Sequence, residues 1–168
     1  MRRLGADFDE FVVGRSSALL RTAILLTGDR HDAEDLVQTA LLRVARHWSR
    51  ALENPEAYTR RVLVNLAYDR SRHRKRRPER LGPPPDRAAT DHYGEERDDL
   101  LRLLRQLPER QRATVVLRYW EDLSVAETAQ LLGCTEGTVK SATSKALAHL
   151  REALALPSTD SIGAHDAH

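Results

Sequence analysis

A stretch from Arg77 to about Glu95 divides the chain before any helix is assigned. It holds Pro78, Gly82, three consecutive prolines at Pro83, Pro84 and Pro85, and Gly94, with no apolar periodicity. Neither a helix nor a strand is expected to persist through such a run. The chain is therefore expected to fold as two units, residues 1–77 and 96–156, joined by a linker at 78–95, with a small, polar, frayed tail at 157–168. A linker of about twenty residues reaches at most ~70 Å at ~3.3–3.6 Å per residue, enough to seat its two units at separate points of one long ligand.

Both flanks carry helical spacing, so the fold class expected is all-α: two small helical domains and a flexible linker. In the first unit Phe8, Phe11, Val12, Leu19, Leu20, Ala23 and Ile24 recur at helical intervals up to a turn at Gly28 and Asp29. Ala33, Leu36, Val37, Ala40, Leu41, Val44 and Trp48 then form the apolar stripe of a second helix. Asn54 as N-cap and Pro55 at the first helical position open a third, with Tyr58, Val62 and Leu66 inward, and a basic fourth helix runs on to Pro78. In the second unit Leu100, Leu103, Leu104 and Leu107 share one face, and Pro108 opens a helix carrying Ala113, Val116, Leu117 and Trp120. Ser124 and Glu127 have the spacing of a capping box, starting a short helix that ends at Gly133. Thr135 caps a longer helix with Val139, Ala142, Ala146, Leu147, Leu150 and Leu154 turned inward.

Composition excludes more than it identifies. With 40% hydrophobic and 31% charged residues the chain can bury a core. No apolar run approaches the roughly 20 residues of a membrane helix, and Met1 to Asp9 lack the apolar centre of a signal peptide, so a cytoplasmic location without membrane insertion is expected. The single Cys134 excludes an internal disulfide, and the seven histidines are scattered without metal-ligand spacing. No phosphate-binding glycine loop or nucleophile elbow is present, so no catalytic residue, metal or cofactor is assigned and no enzymatic activity is expected. The acidic pairs Glu34 with Asp35, Glu95 with Glu96 and Asp98 with Asp99 lie near helix starts, where the helix dipole accounts for them.

A formal net charge of +2 names no partner, but its distribution is uneven. Arg60 to Arg80 hold nine Arg or Lys against two acids, whereas Asp86 to Asp99 hold six acids against two Arg. The basic run, with Arg60, Arg61, Arg70, Arg72, Arg74, Lys75, Arg76 and Arg77 around Asn65 and Tyr68, suits a phosphate backbone and the stacking and edge bonding of single-stranded bases. A solvated basic helix is the alternative. Near the C-terminus, a short helix, a tight turn at Gly133 and a second helix have the arrangement of a helix-turn-helix, or of a plain αα-hairpin. Ala129 and Val139 would fill the angle, Cys134 would be a small buried turn residue, and Thr135, Glu136, Thr138, Lys140, Ser141, Ser144 and Lys145 would point outward towards base edges and phosphates. On the second helix Asp35, Gln38, Thr39, Leu42 and Arg46 form a further stripe that fits either a partner helix or solvent.

Three stretches together resemble the extracytoplasmic-function sigma factors, and within them the small SigE-like actinobacterial group: DAEDLVQTALLRVARHW from Asp32, NPEAYTRRVLVNLAYDRSRHRKR from Asn54 and LPERQRATVVLRYWEDLSVAETAQLLGCTEGTVKSATSKALAHLRE from Leu107. The resemblance covers roughly Phe8 to Leu154 and implies a dissociable specificity subunit of RNA polymerase. It implies that the first unit is sigma region two, docking through Asp35, Gln38, Thr39, Leu42 and Arg46 on the β′ clamp helices. Thr39 stands where the family usually has an acid. It places Asn65 in a turn between the third and fourth helices, reading an extruded base of the minus-ten element, with Tyr68, Asp69 and Arg72 holding the melted strand and Arg61, Arg74, Lys75 and Arg76 beside them. The second unit is implied to be region four, contacting the β flap and reading the minus-thirty-five duplex through Thr135, Glu136, Thr138, Lys140, Ser141, Ser144 and Lys145. Ala142 replaces a residue that is often larger and polar. Core polymerase and promoter DNA are the partners implied, with an anti-sigma factor as a further one, and the free protein is expected to hold its two domains together and bind DNA poorly. A stand-alone helix-turn-helix regulator, binding duplex DNA without polymerase, is the closest rival reading, and a helical adaptor or anti-regulator that binds protein alone is the other.

Overall fold

The computed structural model describes residues 5–76 and 94–155 and, among them, is built from helices without a strand. The expected linker at 78–95 and tail at 157–168 lie outside the described residues, apart from Gly94 and Glu95. Those two open a helix, with Gly94 as its N-cap.

Helix α1, Ala6–Thr27, carries Asp7 and Asp9 in its first turn, where acids complement the dipole, and stops at Gly28 in the left-handed region at φ 74°. Glycine is required there twice over, because a Cβ would also come within 2.7 Å of the Arg105 side chain. The next residue starts α2, Arg30–Arg46: the Asp29 side chain accepts from the Asp32 amide at 2.8 Å. A single turn, α3, Trp48–Ala51, follows. It seats Trp48 edge-on against Phe8, with ring centroids 5.1 Å apart, in a small core with Val44 and Ala51.

Helix α4 runs unbroken over Pro55–Arg76. Asn54 caps it as expected, its Oδ1 accepting from the Ala57 amide at 3.1 Å. The expected division into a third and a fourth helix, with Asn65 in a turn between them, is therefore corrected to one helix. The reason is local: no proline or glycine interrupts residues 56–76, so nothing ends the hydrogen-bond ladder. Its buried face is centred on Thr59, Leu63, Val64 and Leu66, with Tyr58 and Val62 half-buried at the edge.

In the second half, α5, Glu95–Gln106, buries Leu101 and Leu104, while Leu100, expected inward, is 43% exposed. Helix α6, Glu109–Val115, passes into a π-helical turn, Val116–Trp120, closed by the Glu121 amide on the Val116 carbonyl at 3.0 Å. The wider turn lets Val116 and Leu117 both face inward and carries Trp120 out to 50% exposure, correcting its expected core position. Helices α7, Val125–Leu132, and α8, Glu136–Ala155, complete the fold. Leu154, 72% exposed, lies beyond the surface that α8 covers, which corrects the last of the expected inward positions.

The halves share one apolar core: Ile24, Leu36 and Leu63 belong to the same buried cluster as Leu101, Leu104 and Leu117. Polar bonds reinforce the seam. Arg105 donates to the Gly28 carbonyl at 2.6 Å, Ser71 donates to Glu109 at 2.5 Å, and Glu121 accepts from both Thr22 of α1 and Arg60 of α4.

Candidate nucleic-acid interface

The α7–α8 pair forms from short-range hydrogen bonds. Ser124 Oγ accepts from the Glu127 amide at 3.0 Å and Glu127 returns the bond by accepting from the Ser124 amide at 2.7 Å. The bond from the Ser124 amide, with a smaller contribution from the Ser124 hydroxyl, holds the Glu127 carboxyl below its ordinary pKa. Gly133 turns the chain at φ 64°, and the Cys134 amide, on a half-buried residue rather than a fully buried one, closes the turn on the Ala129 carbonyl at 3.0 Å. Ala129 and Val139 are buried in the angle. Thr135 then accepts from the Thr138 amide at 3.2 Å and starts α8.

Thr135, Glu136, Lys140, Ser141, Ser144 and Lys145 are exposed, and Thr138 is half-buried. Thr135, Thr138, Ser141 and Lys145 line a concave surface whose opposite wall is Pro108, Arg110 and Gln111. Arg110 and Gln111 were not among the expected site residues. They lie more than twenty residues upstream, and only the packing of α6 on α8, held by Gln111 on His149 at 2.9 Å, brings them there.

Along α4, Arg61, Asn65, Asp69, Arg72 and Arg76 are all exposed, and their spacing places them on one side of the helix. Tyr68 and Arg74 face elsewhere, towards the seam. The Tyr68 hydroxyl is buried without a hydrogen-bond partner among the described residues, and burial, assisted by the nearby Glu109 charge, pushes its pKa up to about 12. Arg74 donates to Asp32 at 2.5 Å. The Lys75 side chain lies outside the described residues. Three arginines of the basic run, Arg60, Arg70 and Arg74, are thus engaged with acids of their own chain.

On α2, Asp35, Gln38, Thr39, Leu42 and Arg46 form an open stripe, with Leu42 63% exposed at its centre. Thr39 turns its hydroxyl back onto the Asp35 carbonyl at 2.9 Å, leaving its methyl for any partner. Among the described residues no helix is long and apolar enough to cross a membrane, and no group of three or more His, Cys, Asp or Glu is placed to hold a metal.

Two families match the two helical sets. Residues 14–77 match Sigma-70 region 2, and residues 97–150 match Sigma-70, region 4. The RNA polymerase sigma-E factor of Streptomyces avermitilis is 41% identical over 152 residues, covering 88% of this chain and 85% of that one. The chain belongs to the RNA polymerase sigma factors. This sigma factor is equally similar to the sigma-E factor of Streptomyces coelicolor, 42% identical with 88% and 86% coverage. It is 34% identical to the ECF RNA polymerase sigma factor SigE of Mycolicibacterium smegmatis, over 92% of this chain and 64% of the relative. Among solved structures it resembles the sigma factor RpoE in complex with the anti-sigma factor NepR from Bartonella quintana, with a TM-score of 0.74, 28% identity and coverage of 92% of this chain and 100% of that one. As a sigma factor of the extracytoplasmic-function group it directs promoter-specific initiation by RNA polymerase, and sigma factors are initiation factors. The stand-alone regulator is not favoured, because both sigma regions are present in order.

Proposed function

We propose that the three exposed surfaces divide the work of initiation. The α2 stripe from Asp35 to Arg46 docks on the β′ clamp helices, the open face of α4 holds the melted minus-ten strand with Asn65 reading a base, and the N-terminal part of α8 reads the minus-thirty-five duplex while region four contacts the β flap. The observation that carries this reading is the alignment of Arg61, Asn65, Asp69, Arg72 and Arg76 on one exposed face, where an amide among cations suits a flipped base and its flanking phosphates. Arg110 joins the α8 surface as a phosphate contact.

Tyr68 serves the strand only after the halves part, since its ring lies in the seam. The closed arrangement is thus the resting form, and docking on polymerase separates the two regions. Initiation takes place in the cytoplasm, the protein itself carries no enzymatic activity, and the linker expected at 78–95 joins the two regions. A sigma factor of similar fold is held by an anti-sigma factor in its solved complex, which supports a partner of the same class here.

The test is run-off transcription from promoter fragments by purified bacterial core polymerase. New defined starts are expected only when the protein is added, and an Asn65→Ala substitution should abolish them while polymerase binding persists. Core polymerase that neither binds the protein nor changes its starts would overturn the reading.

A further inference from the structure

A small cleft of about 70 Å³ lies in the seam, lined among others by Asp32, Arg70, Ser71, Arg74, Glu109 and Arg112. Asp32 sits in the first turn of α2 and is only 4% exposed. A carboxylate so buried requires counter-charge, and α4 supplies it twice. Arg74 Nη2 lies 2.5 Å from Oδ2 and Arg70 Nη2 lies 3.6 Å from Oδ1, while Arg70 Nη1 also donates to the Asp32 backbone carbonyl at 3.1 Å. Arg70 further lies 3.5 Å from Asp35, at the start of the exposed α2 stripe. Both guanidinium groups keep part of their surface open, 37% and 45% of the side chain, so donors remain beyond those that Asp32 occupies.

We propose that Asp32 is a positioning residue for promoter DNA. It holds Arg70 and Arg74, one turn apart on α4, as two oriented forks along the wall that also carries Tyr68 and Ser71. When the halves part, that wall presents a preset pair of bidentate donors rather than two freely moving cations, and the carboxylate beneath them lowers its attraction for any polyanion that does not match the geometry. The inference rests on the reading of α4 as the strand-binding helix, and extends it from the open face to the cleft face.

The experiment uses the reconstituted holoenzyme with the Asp32→Asn variant. Promoter opening is expected to fall about tenfold with polymerase affinity unchanged, while affinity for non-promoter duplex holds or tightens and its salt dependence steepens by about one phosphate equivalent. A purely structural role would lower opening and polymerase affinity together, and that result, or unchanged opening, overturns the proposal. The Arg74→Lys variant leaves the buried carboxylate paired and keeps the charge but loses the planar fork. It is expected to lose opening at an unaltered salt slope, and wild-type opening would overturn the positioning role. If the unaltered protein opens no promoter, the reading of α4 itself fails, and this role with it.

Discussion

Arg60 and Glu121, 61 residues apart in sequence, meet at 2.8 Å, and Glu121 also accepts from Thr22 of α1. One carboxylate thus ties the turn after the π-helical segment to both long helices of region two. It sits where α6 would otherwise continue, and the following Asp122, at φ 53°, redirects the chain towards α7.

That node predicts how the closed form is weakened. Glu121→Gln leaves Arg60 without its counter-charge and should cost the closed arrangement about 1–3 kcal/mol, the range for a partly buried charged hydrogen bond. Spin-label distances between α4 and α8 should lengthen. An unchanged distance distribution would mean that the apolar core alone keeps the halves shut.

Tyr68 makes closure sensitive to pH. Its pKa in the closed form is raised to about 12, mainly by burial, above the ordinary 10. A group whose pKa is raised on closing contributes its full share below the open-state value and loses it as pH rises through the closed-state one. Closure is therefore expected to be pH-independent below about 10 as far as this residue is concerned, and to weaken between about 10 and 12. Tyr68→Phe removes both the titration and an unpartnered buried hydroxyl, so it should abolish this phase and tighten closure by roughly 1 kcal/mol. Tyrosinate absorbance followed against pH checks the titration, and spin-label distances between α4 and α8 in the two proteins over the same pH range check the closure.

The helix-turn-helix depends on its cap. Ser124→Ala removes the acceptor for the Glu127 amide and should cost about 1 kcal/mol, lowering the melting temperature by a few degrees. Because the Glu127 carboxyl has a lowered pKa in the folded state, the stability it adds is present above the ordinary carboxyl range and is lost as pH falls through its folded value. Acid titration of the Glu127→Gln variant should lack that loss.

Leu42 separates docking from folding. At 63% exposure it contributes little to the core, and Leu42→Asp should leave stability within about 0.5 kcal/mol. Polymerase affinity should nevertheless fall at least about tenfold, or ~1.4 kcal/mol. Equal affinity for wild type and variant in a binding titration would remove α2 from the interface.

Much of this fold is local chemistry and was legible residue by residue. Gly28 and Gly133 stop helices where only a residue without a Cβ sits comfortably, and Asn54, Ser124 and Thr135 start them through side-chain acceptors two or three amides away. The outward face of α8 and the open stripe of α2 followed from the same periodicity. The basic run was legible as a charge, but not as two faces of one helix, because alternating arginines mask the apolar phase and the expected turn at Asn65 had no breaker to cause it.

What the chain by itself determined, then, was most of its helices and their caps, since those depend on hydrogen bonds between residues close in sequence. Only the tertiary structure decided which charges neutralise one another. Twenty-seven basic and twenty-five acidic side chains allow many pairings, and helix packing selected Arg70 and Arg74 for Asp32 and Arg60 for Glu121. That selection turned Tyr68 into the seam and left Asn65 open. The physical reason is that burial and electrostatics act through space, and the sequence orders residues only along the chain.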